Sequence, residues 1–192
     1  MEPNPNRCWS TQNPLYIRYH DEEWGVPVHD DQKLFEMLIL EGFQAGLTWE
    51  LILKRREALK KVFADFNPKV VAEYTTKDLE NILKNPNIIR NRAKVSATIN
   101  NAQIFLRIQN ELGSFDKFIW QFVNGKPIDH SFQSMSEMPA QTEESCAMSK
   151  ELKKQGFKFV GPTICYAFMQ AVGMVNDHLK SCFRYSQIQK AR

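Results

Sequence analysis

Nearly every apolar run in this 192-residue chain repeats with helical spacing, and most such runs open on a residue that caps helices. That punctuation is what most restricts the fold. After Asp30 and Asp31, QKLFEMLILEG places Leu34, Leu38 and Glu41 on one face, with Met37 beside them. TWELILKRREALKKVF opens at Thr48 and predicts a buried stripe of Ile52, Leu59, Val62 and Phe63 under a basic outer face. Asn67-Pro68 starts a short helix, and Thr75 followed by Asp78 is an acidic relative of the capping box. A long helix fits Asn91 to Leu112 and stops at Gly113, after which Ser114 caps FDKFIWQFV. The polar stretch SFQSMSEMPAQTEES reads as a surface connection. Beyond it come a helix ending at Gly156, a short hairpin GFKFVG, and a helix from Pro162 to Gly173. The expectation is an all-α protein forming one domain over residues 1–192, with room for two helical lobes.

Charge and cysteine usage narrow the partners. Residues 145–192 carry eight Lys/Arg against two Asp/Glu, whereas residues 1–50 carry three against nine. A basic C-terminal part suits a polyanion such as nucleic acid, though a solvated basic surface fits the charge count as well. No apolar run approaches the roughly 18 residues of a membrane span, and MEPNPNRCWS lacks the apolar stretch of a secretory signal. Cys8, Cys146, Cys165 and Cys182 show no regular spacing, which is cytosolic usage rather than a disulfide framework. The expectation is a cytoplasmic monomer with no membrane partner.

Chemistry can be placed at four positions. His178 and Cys182, in VNDHLKSC, stand one helical turn apart; the other region where Cys and His lie near each other holds Cys8 and His20. Cys₂His₂ is a closed tetrahedral set, the mark of a structural zinc site, and here it would tie residues 1–24 to residues 174–184. Spacing alone favours four unrelated residues somewhat over a zinc site. The second position is GFKFVGPT, where glycines at both ends of a turn between helices let backbone approach a phosphate, with Lys153, Lys154 and Lys158 around it. An ordinary helix corner fits that pattern too. The third is the aromatic group Tyr16, Tyr19 and Trp24 with Trp9 and Trp49 nearby, which could stack on an extruded base or could be core. The fourth is Glu41, an acid on an apolar face near the unfavourable end of a helix dipole, where it suits a cationic or hydrogen-donating ligand or else turns to solvent at the helix end.

Together RCW…PLYIRYHDEEWGVP, LFEMLILEGFQAGLTW, IIRNRAK, GFKFVGPTICYAFMQAVGMVNDH and the final His-x₃-Cys resemble the 3-methyladenine DNA glycosylase I family, from about Arg7 to Cys182. The resemblance implies a monofunctional helix-hairpin-helix glycosylase that flips out and excises N3-methylated adenine from alkylated double-stranded DNA, leaving an abasic site. It implies a structural Zn²⁺ on Cys8, His20, His178 and Cys182. Glu41 matches the base-recognition glutamate, Tyr19 and Trp49 match the pocket aromatics, and Trp24 and Trp9 lie close to them. Gly156, Lys158, Val160, Gly161 and Thr163 match the DNA-backbone clamp, and Gly46 and Leu47 the segment that fills the gap in the duplex.

Several positions depart from that pattern. Cys8 and Trp9 are adjacent where the family carries one residue between them. Asn176 stands where many superfamily members place a catalytic aspartate, with Asp177 next to it, so no catalytic aspartate is assigned. Thr163 occupies the place of the lysine in lyase relatives, and their iron–sulfur cysteine cluster is absent. Two other readings stay open at this level. One is a zinc hydrolase using His20, Glu22 or Glu23, and His178 around an open metal position. The other is a DNA-binding module that keeps the clamp without the chemistry.

Overall fold

A computed structural model describes residues 5–190. The α-helices among them are α1 (Pro14–Arg18), α2 (Asp31–Gln44), α3 (Trp49–Val62), α4 (Pro68–Ala72), α5 (Thr76–Lys84), α6 (Arg92–Leu112), α7 (Phe115–Trp120), α8 (Glu143–Gln155), α9 (Pro162–Ala171) and α10 (Phe183–Lys190). The predicted caps hold. Thr48, Asn67, Asn91 and Ser114 each accept a backbone amide of the helix they open, and Thr75 with Asp78 forms a reciprocal box. Each such cap satisfies an orphan amide and contributes about 1 kcal/mol.

α2 is the central element, with every residue from Leu34 to Phe43 buried. It packs against α3, α6, α7 and α9. Phe35, Phe105 and Phe115 join these helices, with Phe105 and Phe115 stacked at 4.2 Å between ring centres. Of the stripe predicted on α3, Ile52, Leu59 and Phe63 are buried, while Val62 is only half-buried. The basic face of α3 is not wholly solvated. Arg56 makes a two-pronged pair with Glu23 at 2.8 and 2.9 Å and a third bond to Glu36 at 2.8 Å.

Four features differ from the helical pattern read in the sequence. Tyr19–Glu23 continues α1 as a π-helical turn, closed by the Trp24 amide on the Tyr19 carbonyl at 2.9 Å. Thr142 and Ser145 form a second capping box, so the polar connection gives way to α8 at Glu143. Residues after Cys182 form α10. Finally, β1 (Ile128–Asp129) and β2 (Val175–Asn176) pair in parallel, Ile128 opposite Val175 and Asp129 opposite Asn176. Gly173 sits just before β2 at φ 70°, and a Cβ there would overlap the backbone of Val26 and Pro27. That close approach lays residues 24–28 along the end of α9, where the Gly25 amide bonds the Gln170 carbonyl at 3.0 Å. Among the described residues no helix is long and apolar enough to cross a membrane.

Candidate active site

The π-helical turn places two neighbouring side chains in two different sites, since Tyr19 lines a pocket and His20 joins a Cys/His cluster. Turns of this kind recur at functional positions. The pocket encloses about 180 Å³ and is lined by Trp9, Tyr16, Tyr19, Trp24, Glu41, Gln44, Trp49, Met135, Met138, Ala167 and Gln170. All five residues of the predicted base-binding set are therefore together. Tyr19 and Trp49 lie 5.1 Å apart, and Trp9 meets Trp24 edge-on at 4.8 Å. Glu41 comes from the last turns of α2 and is only 3 % exposed. Its Oε2 and the indole nitrogens of Trp9 and Trp49 are buried without a hydrogen-bond partner. A buried polar atom without a partner costs about 1–3 kcal/mol, so three on residues that line one pocket mark it as a candidate ligand site. Burial pushes the Glu41 carboxyl up to about 8. Burial also raises Tyr19 and Tyr16, with Glu41 adding to both.

The ligand atoms of Cys8, His20, His178 and Cys182 all lie within 4.8 Å of one another, and all four residues are buried. Cys8 Sγ is 3.4 Å and Cys182 Sγ 3.5 Å from His178 Nδ1, and Cys182 Sγ is 3.5 Å from His20 Nε2. A tetrahedral ion with ordinary zinc–sulfur and zinc–nitrogen lengths sets such S···N separations near 3.5 Å, by simple trigonometry on roughly 2.3 and 2.0 Å bonds. The opposite ring nitrogens are held as metal-ligating histidines require. His20 Nδ1 meets Asp21 at 2.8 Å, which itself takes a two-pronged pair from Arg7, and His178 Nε2 meets the Trp24 carbonyl at 2.9 Å. The Cys182 thiol is pulled down first by its hydrogen bond with Cys8 and then by the two imidazoles. These residues fit a metal ion. Glu22 and Glu23, the carboxylates that a catalytic metal would recruit, are engaged elsewhere, Glu22 with Arg18 and Glu23 with Arg56 and Lys33.

The hairpin is clamped from behind. Gly156 ends α8 at φ 100°, and a Cβ there would press on Ile104 at 3.2 Å. Asn101 of α6 bonds both the amide and the carbonyl of Lys158, at 2.9 and 3.0 Å, and Ser149 holds the Val160 carbonyl at 2.6 Å. α9 then starts at Gly161 with no side-chain cap, and Thr163 follows Pro162 in its first turn. Its opening amides therefore receive no side-chain cap. Between this end of α9 and α2 lies a second hollow of about 310 Å³, lined by Glu41, Gln44, Ala45, Gly46, Leu47, Thr163, Ile164 and Ala167. Leu47 is 36 % exposed on its rim. Glu41 lines both hollows, so the pocket and the start of α9 open toward each other.

Comparison with known proteins settles the family. The methyladenine glycosylase family is matched over residues 9–185. The chain belongs to the methyladenine glycosylase family. It is 50% identical over 180 residues to DNA-3-methyladenine glycosylase 1 of Escherichia coli (strain K12), covering 93% of this chain and 96% of that protein. It is 48% identical over 177 residues to DNA-3-methyladenine glycosylase of Haemophilus influenzae, covering 92% and 96%. Among solved structures, a crystal structure of 3-methyladenine DNA glycosylase I superposes with a TM-score of 0.91 at 50% identity, covering 93% of this chain and 98% of the other. The Staphylococcus aureus enzyme, solved for 3-methyladenine recognition, does so with a TM-score of 0.89 at 41% identity, covering 92% and 94%. As a member of this glycosylase family the protein is an enzyme, a hydrolase of N-glycosyl bonds.

Within this methyladenine glycosylase, Asn176 and Asp177 are held in two separate hydrogen-bond networks. Asn176 is buried in β2, where Oδ1 accepts the His178 amide at 3.3 Å and Nδ2 reaches the Tyr185 carbonyl at 3.4 Å. Asp177 is also buried. It accepts hydrogen bonds from the Tyr166 hydroxyl and, at 2.8 Å, from Gln170 Nε2, and it meets His130 at 2.6 Å. That bond to Asp177 holds His130 above its ordinary value. The pocket is lined by Gln170 and not by Asp177. Gln44, Gln170, Met135 and Met138 were not singled out in the sequence as pocket residues. For the two methionines there was no local signal, because they sit in a connection without periodicity.

Proposed function

We propose that the protein excises N3-methylated adenine from double-stranded DNA by flipping the base into the pocket around Glu41. The observation that carries this reading is Glu41 itself, a buried carboxyl with no partner among aromatic faces. N3-methylation leaves the base cationic and weakly paired, so extrusion costs less than for an intact pair. Tyr19 and Trp49 stack on the ring, with Trp9 and Trp24 completing the walls, and a cationic ring gains from their π-faces. Glu41 accepts a hydrogen bond from the exocyclic amino group, and the arriving positive charge favours its ionised form.

The opening amides of α9 and the Gly156–Thr163 hairpin, with Lys158, hold the DNA backbone without reading sequence. Gly46 and Leu47 enter the gap left by the extruded nucleotide. The C1′–N9 bond then breaks with its electron pair passing to the base, which neutralises the ring. Water's oxygen bonds to C1′, and its proton goes to solvent. The leaving group is already activated, so no strong general acid is required, and Thr163 in place of a lysine fits hydrolysis without strand cleavage. Cys8, His20, His178 and Cys182 would hold a structural Zn²⁺, whose contribution is to cross-link the chain ends of a single, monomeric glycosylase domain.

Incubation of the purified protein with methylated duplex DNA, followed by chromatography of free bases, tests the reading. Release of 3-methyladenine with 7-methylguanine retained is expected, and strands should break only after alkali. Release of many alkylated bases would overturn the narrow specificity. DNA binding with no base release would leave the non-enzymatic clamp in its place.

A further inference from the structure

Gln170 lies in the last turn of α9 and shares the pocket with Glu41, yet its side chain is not free to turn. Its amide nitrogen donates to Asp177 Oδ2 at 2.8 Å and lies 3.1 Å from the Met138 sulfur. Asp177 is fully buried and fixed in turn by Tyr166 and His130, so it accepts from Gln170 in one geometry only. A carboxylate has no proton to give and must face the NH₂ end of an amide. Asp177, fixed by Tyr166 and His130, therefore sets which end of the glutamine is turned away from it. The Gln170 carbonyl also anchors the Gly25 amide at 3.0 Å, so the backbone beneath it is held as well.

We propose that Gln170 is a specificity residue: with its nitrogen pinned on Asp177, it presents its Oε1 to the base pocket as a hydrogen-bond acceptor for an exocyclic amino group. This inference rests on the base-pocket reading above and adds a second acceptor to Glu41. Two fixed acceptors welcome a ring that carries a 6-amino donor. They oppose a ring with a 6-oxo group, because acceptor would face acceptor in a site without room to rearrange. A site built to hydrogen-bond a particular group rejects the analogue that lacks it far more strongly than a greasy pocket can. The pocket would therefore separate N3-methylated adenine from N3-methylated guanine by chemistry at C6 as well as by shape. Asp177 acts through Gln170, as a positioning residue that never touches the base.

The test compares kcat/KM for release of 3-methyladenine and 3-methylguanine from methylated duplex DNA, using the full chain and the variants Gln170→Met and Asp177→Asn. Gln170→Met keeps the length and volume of the side chain and removes the carbonyl. Its adenine-to-guanine ratio should fall by about tenfold or more, mostly through kcat for 3-methyladenine, with DNA affinity unchanged. Asp177→Asn, which lets the amide turn over, should lower the same ratio with a smaller change in DNA affinity than in selectivity. If Gln170→Met folds, releases 3-methyladenine and keeps the wild-type ratio, the inference is wrong while the enzyme reading survives. If the wild-type protein releases no 3-methyladenine, the enzyme reading falls and takes this inference with it.

Discussion

At the scale of single residues, Glu41 is where stability and function pull apart. Its side chain is sealed among Tyr19, Trp49 and the apolar face of α2, and burial alone lifts it from about 4.5 to about 8. Between those values the folded protein holds a proton that the unfolded chain has lost. The stability linked to Glu41 is thus fully present below about pH 4.5 and declines as pH rises toward 8. Glu41→Gln removes this titration. The variant should be the more stable protein at pH 8, by on the order of 3 kcal/mol or roughly 6–12 °C in Tm, and should lose most of that advantage by pH 5. Excision should drop sharply at the same time. Thermal unfolding of both proteins from pH 5 to 8.5 checks this; parallel curves would mean that Glu41 has a partner or reaches solvent. This residue was partly legible in the sequence because Leu34, Leu38 and Glu41 share a helical face, a pattern that suits a buried acid but also fits one turned to solvent at the helix end.

At the scale of elements, legibility followed local chemistry. Thr48, Asn91, Ser114 and the Thr75–Asp78 box announced helix starts because capping is a short-range hydrogen bond, and Gly156 announced the turn after α8 because its φ of 100° favours glycine, whereas Gly161 has ordinary extended backbone. The π-helical turn at Tyr19–Glu23 was not legible, since one altered hydrogen bond in a ladder leaves no compositional trace. Nor was the role of Met135, which is 43 % exposed yet reaches the pocket from a connection that looks merely polar. The hairpin carries a prediction of its own. Lys158 is exposed, and Asn101 holds its backbone rather than its side chain. Lys158→Glu should therefore leave Tm within about 1–2 °C of wild type, as surface changes do. It should weaken duplex binding about tenfold at low salt, uniformly across sequences, with the logarithmic salt slope reduced by about one. Fluorescence anisotropy at two salt concentrations measures both; an unchanged Kd would remove the hairpin from the DNA interface.

At the scale of the whole molecule, the Cys/His cluster brings together segments that the helices alone leave apart. Cys8 comes from the N-terminal segment, His20 from the π-helical turn, and His178 and Cys182 from the segment between β2 and α10. The first four residues of the predicted 1–24 span lie outside the described residues, and every ligand lies within them. The cluster also backs onto the pocket. Trp24 packs on His178 at 4.6 Å and Trp9 on His20 at 4.7 Å, and both indoles are pocket walls. If the cluster holds the proposed ion, losing it would leave the Cys8 and Cys182 sulfurs and two imidazoles packed together without a shared cation, and the two tryptophans that pack on the histidines would lose support. Cys182→Ser, or exhaustive chelation of the wild type, should therefore lower metal content and Tm together, the latter by about 10 °C or more. Because no ligand touches the reacting atoms, the molecules that stay folded should keep kcat within a few-fold and lose base affinity instead, through a loosened Trp9–Trp24 wall. Metal analysis, thermal unfolding and single-turnover kinetics on the same preparation separate these effects. A collapse of kcat with Tm intact would move the metal from the frame of the protein into its chemistry.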